Sequence, residues 1–101
     1  MNQARMMQQI RKMQQDMERA QTELAASVVE GTASGGTVTI AISGDFKAKK
    51  VAIKPEAVDP ADVETLEDLI VVALNDALAK VHELNSSKMG SVTGGLKIPG
   101  L

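Results

Sequence analysis

The 101-residue chain predicts an α+β fold: a long N-terminal helix, a three-stranded antiparallel meander, a second helix and a glycine-rich C-terminal tail, α-β-β-β-α in order. Three observations carry this expectation. The first thirty residues hold neither Gly nor Pro, and their apolar positions repeat at heptad spacing. The middle of the chain alternates apolar and polar residues between Gly-containing turns. A 3.6-residue apolar period then returns after Asp59-Pro60.

Met6, Ile10, Met13, Met17, Ala20 and Leu24 step by 4, 3, 4, 3 and 4, which is the seam of a coiled-coil-like helix. The helix should run from about residue 3 to about 25. At ~1.5 Å per residue it would exceed ~30 Å, longer than a small globule needs, so it should project or meet a partner. Val28 to Ala33 reads as a first strand and Ser34-Gly35-Gly36 as a turn. Val38, Ile40 and Ile42 alternate with Thr37, Thr39 and Ala41. Ser43-Gly44-Asp45 turns the chain again. Val51 and Ile53 then alternate with Lys50, Ala52 and Lys54 before Pro55 ends the strand. Asp59 as N-cap and Pro60 as the first helical residue open the second helix. Its core stripe is Val63, Leu66, Ile70, Ala73, Ala77, Val81 and Leu84, and Asn85-Ser86-Ser87 should end it. The expected division of the single domain is 1–25 for the projecting helix, 26–55 for the sheet, 59–87 for the second helix and 88–101 for the tail. The Gly-spaced apolar residues of the tail suggest a segment that docks on the body.

Apolar residues make up 44% of the chain but aromatics only 1%, so the core must be built from Val, Ile, Leu, Ala and Met. A single domain of this size leaves much apolar surface uncovered, which favours a homodimer. With no Cys, disulfides, thiolate ligands and cysteine nucleophiles are excluded together. The longest apolar run, Leu69 to Leu74, is far short of the ~20 residues of a membrane span, so no membrane association and a cytoplasmic location are expected. The net charge of −2 is unevenly spread. Residues 1–22 and 43–54 are net basic, at +2 and +3, whereas residues 55–84 carry eight acids against Lys80.

Enzyme chemistry finds no support, and no catalytic, cofactor or metal-ligating set is expected. His82 is the single histidine and lacks a second ligand at helical spacing. Gly90 and Gly95 imitate the spacing of a phosphate loop. Leu96 stands where that loop needs Lys, however, and the segment follows a helix instead of preceding one.

The first helix is more informative. With Ile10 at heptad position a and Met13 at d, Arg5, Lys12 and Arg19 all fall on c, and Gln8, Gln15 and Thr22 fall on f. One outward stripe thus alternates cations with amides. Cations neutralise phosphates, and Gln bonds to phosphates or adenine edges. The plain alternative is that outward positions of any such helix are polar.

Lys88-Met89-Gly90, then Thr93-Gly94-Gly95-Leu96, then Pro99-Gly100, resembles the closing signature of the YbaB/EbfC family of bacterial nucleoid-associated DNA-binding proteins. The resemblance covers nearly the whole chain. It extends to the Gln/Met-rich first helix, Glu30-Gly31, Gly35-Gly36, Asp59-Pro60, Leu66-Glu67-Asp68-Leu69-Ile70 and Asn75-Asp76-Ala77. It implies a tweezer-like homodimer that binds double-stranded DNA and acts in nucleoid organisation or gene regulation, hence a nucleoid location. It also implies DNA contacts from helical arms near the chain ends. On this chain those are Arg5, Arg11, Lys12 and Arg19, joined by Lys88 and Lys97. The low pI, about 5.3, departs from a strongly basic binder. The rival expectation is a dimeric adaptor or chaperone-like module that grips a repair or recombination protein.

Overall fold

The computed structural model describes residues 2–92, and of residues 89–92 the backbone alone. Helix α1 spans Gln3–Ala26. The Asn2 side chain accepts the Ala4 N–H at 3.1 Å and so caps its start. At the other end the Ser27 N–H donates to the carbonyls of Glu23 and Leu24, and the Ser27 hydroxyl donates to Glu23 as well, at 2.8 Å. Strands β1 (Val28–Ala33), β2 (Val38–Ser43) and β3 (Ala48–Ile53) follow, and α2 (Val63–Val92) completes the α-β-β-β-α order expected from the sequence.

The strands form one antiparallel sheet in the order β1-β2-β3. A β-bulge at Lys49, where Ala41 pairs with Lys50 and the next residue, Ile42, with Ala48, breaks the β2–β3 register. Val38, Ile40 and Ile42 point to one face and are essentially buried. There they meet Ala73, Ala77 and Val81 of α2, each without exposed surface. The helix reaches the sheet through small residues. A Cβ on Gly31 would collide with the backbone of Ala73 and Ala77, so only glycine allows α2 to lie this close to β1.

Two expectations about α2 are corrected. Asp59 does not cap it. The Asp59 carboxylate accepts the Ala61 N–H at 2.9 Å and its carbonyl accepts the Asp62 N–H, so Asp59 to Asp62 form a turn. Asp62 is the cap, accepting from the Thr65 N–H at 3.3 Å and the Thr65 hydroxyl at 2.6 Å. Nor does the helix end at residue 87. It continues through Lys88 and Gly90 to Val92, and the ion pair of Lys88 with Glu23 joins this part of the helix to α1. One glycine costs a helix only ~1 kcal/mol, too little to end it by itself. The tail expected at 88–101 therefore begins within α2, and residues 93–101, with the expectation that they dock, lie outside the described residues.

Only Ala20 and Leu24 of α1 are buried, and the turns before them stand clear of the body. The radius of gyration is 19.5 Å, against ~13 Å for a compact chain of this length, as a projecting arm requires.

Candidate nucleic-acid interface

The root of the arm is a three-way junction at Gly44. Its N–H donates to the Ser27 carbonyl at 2.9 Å, joining the β2 end to the exit of α1. Its carbonyl accepts from the Asn85 side chain at 2.8 Å, joining both to α2. A Cβ at this position would strike the backbone of Leu24, so the missing side chain lets α1 seat directly on the turn. Lys88 of α2 pairs with Glu23 of α1 and holds the Glu23 carboxyl below its usual range. Beside the junction, the Phe46 and His82 rings meet edge-on at 5.1 Å, which gives His82 a packing partner.

Along the arm, Arg5, Gln8, Arg11, Lys12, Gln15 and Arg19 are all exposed. Arg5, Arg11 and Lys12 form no ion pair with any described residue, while Arg19 lies 3.8 Å from Asp16 on its own helix. Arg5, Lys12 and Arg19 repeat every two turns, and the helix is regular throughout, so they share one line about 21 Å long. The seam residues divide. Leu24 is buried, whereas Met6, Ile10, Met13 and Met17 are 38 to 48% exposed within the single chain. Lys88 stands at the root of the arm, bonded to Glu23, and not on the line of the other cations. Lys97 lies outside the described residues.

A second basic surface comes from β3. Lys50 pairs with Ala41 and so emerges on the face of the sheet opposite α2. Lys54, whose N–H donates to the Thr37 carbonyl at 3.0 Å, continues the same alternation. Lys49 sits at the bulge. Lys47 instead lies 3.9 Å from Asp45. The Ser43 hydroxyl donates to the Asp45 carboxyl and is the main cause of its lowered pKa. The exposed acids Glu64, Glu67, Asp68 and Glu83 belong to α2. The uneven charge of the sequence thus becomes two faces, an acidic one on the helix side and a basic one on the open side of the sheet.

One feature of the site region escapes sequence reasoning. On the outer edge of β1, Asp76 accepts the Thr32 N–H at 3.0 Å, and the Lys80 ammonium donates to the Glu30 carbonyl at 2.8 Å. The two side chains also pair with each other at 3.3 Å. Helix α2 thereby occupies hydrogen-bonding groups that an edge strand would otherwise offer to another chain. The only trace in the sequence is an i, i+4 acid–base pair, which any surface helix could carry.

The fold is shared with the crystal structure of an uncharacterized protein from Helicobacter pylori, at a TM-score of 0.74 and 17% identity, covering 86% of this chain and 91% of that one. A nucleoid-associated protein of Pelotomaculum thermopropionicum is 51% identical over 100 residues, 99% of this chain and 95% of its own. One from Chloroflexus aurantiacus is 48% identical over 97 residues, covering 96% and 97% of the two chains. The model of the YbaB/EbfC DNA-binding family matches residues 1–96, and the chain belongs to that family.

Proposed function

We propose that the protein binds double-stranded DNA as a homodimer, with little base specificity, and acts in nucleoid organisation or gene regulation in the bacterial cytoplasm. The observation that carries this reading is the projecting arm, with Arg5, Lys12 and Arg19 in one line and Gln8 and Gln15 between them. Phosphates are the partners such a ladder suits, because a row of cations on a straight helix follows a charged backbone without reading bases. Arg11 adds a cation beside the ladder. Lys88 and Lys97 would add theirs at the other end of the chain. Relatives named as nucleoid-associated proteins support the same reading.

A DNA titration at several salt concentrations tests it. Phosphate binding weakens linearly in log salt as counterions are released. The exposed Met6, Ile10, Met13 and Met17 favour a second reading, in which the arms grip a protein of DNA repair or recombination. An apolar helix-in-groove contact of that kind would hardly change with salt.

A further inference from the structure

The line of Arg5, Lys12 and Arg19 is not purely cationic. Asp16 follows Lys12 by 4 residues and Glu23 follows Arg19 by 4, so both acids lie on the same side of α1 as the cations. From Arg5 to Glu23 the line runs about 27 Å, and its two halves differ. The outer half holds Arg5 and Lys12 without an acid between them on the line. The inner half holds Asp16, Arg19 and Glu23, two acids against one cation, a net charge of −1. Arg19 already lies 3.8 Å from Asp16, and one guanidinium cannot cancel two carboxylates. A duplex that followed the cations inward would meet the second carboxylate, Glu23, at the foot of the arm.

The missing charge comes from the other helix. Lys88 of α2 sets its ammonium on the Glu23 carboxylate and is the main reason that carboxyl lies below its usual range. The Glu23 side chain remains 47% exposed and that of Lys88 37%, so the pair stands at the surface, where a ligand lying on the line would reach it.

We propose that Lys88 serves DNA binding as a positioning residue that acts through Glu23: it cancels the carboxylate at the foot of the line and lets a phosphate backbone follow the arm down to the body. This role deepens the DNA binding proposed above and depends on it. Lys88 thereby adds its charge to the arm without touching a phosphate. Two plainer roles differ from this one. A phosphate ligand would contribute through its own contact, and a tether would only hold α1 against α2.

A double-variant cycle on the full chain, titrated with a short mixed-sequence duplex at several salt concentrations, separates the three. Lys88→Gln should weaken binding about fivefold at low salt, because Glu23 then faces the phosphates uncancelled. Glu23→Gln should bind at least as tightly as wild type. The variant carrying both changes should regain the affinity and the salt slope of wild type, although it has lost the ion pair. A direct phosphate contact predicts instead that the double variant keeps a slope flattened by roughly 0.9 per chain. A tether predicts that the double variant binds as weakly as Lys88→Gln alone. Either result would overturn the inference, as would a Lys88→Gln variant that binds like wild type. A wild-type chain that shows no salt-dependent binding to the duplex would instead overturn the DNA reading itself.

Discussion

Glu23 near the end of α1 and Lys88 near the end of α2 form an ion pair that ties the arm to the helix running out beside it. Hydrogen bonding from Lys88 lowers the Glu23 pKa, so the folded form holds its proton less tightly than the unfolded chain does. The sign follows directly. The contribution is complete above the unfolded carboxylate range and is lost as pH falls through the depressed folded value. Protection of the amides of Ala20 to Ala26, taken relative to their intrinsic exchange rates, should therefore fall in acid before that of the sheet core. Glu23→Gln should show the faster exchange at neutral pH, and its small effect on global stability should be screened by salt.

Asp76 obeys the same sign for a different reason. Its largest cause of a lowered pKa is the hydrogen bond it accepts from the Thr32 N–H, with Lys80 second. Asp76→Ala should release the Thr32 amide to exchange and leave the Lys80 ammonium with only the Glu30 carbonyl. Because the β1 edge is then open, this variant should also aggregate more readily than wild type, as read by light scattering over time.

Gly31 separates packing from backbone freedom. Gly31→Ala drives a methyl group into the backbone of Ala73 and Ala77, and should cost about 3 kcal/mol or more in a urea melt. Gly35→Ala has open space around the new methyl but a φ of +66°, and should cost only about 1 kcal/mol. Equal losses at the two positions would mean that α2 does not approach β1 as closely as described.

These residues also mark where sequence reasoning stops. The heptad seam and the alternation of Val38, Ile40 and Ile42 are local patterns, and each produced the element expected from it. The start of α2 was misplaced because Asp59-Pro60 carries the same cap-and-proline chemistry as a helix start. The choice between Asp59 and Asp62 depends on the Thr65 hydrogen bonds. Its end was misplaced because Asn85, Ser86 and Ser87 read as terminators, whereas the helix runs through them to Val92. The cations of the arm were legible because exposure follows from heptad position. Lys88 was expected among the DNA contacts only through the family resemblance, and the fold brings it to Glu23. The clamp of Asp76 and Lys80 on β1 joins residues more than forty positions apart, which no window of sequence can display.

The account depends most on the line of Arg5, Lys12 and Arg19, and the salt dependence of DNA binding by a triple variant tests it most directly. Each phosphate contact contributes roughly 0.9 to the slope of log affinity against log salt. In the proposed dimer, changing the three residues to Gln in each chain should flatten that slope by up to about 5, with the fold retained. A triple variant that binds DNA with the wild-type slope would contradict the account and move the contact to the strand region of Lys47, Lys49, Lys50 and Lys54.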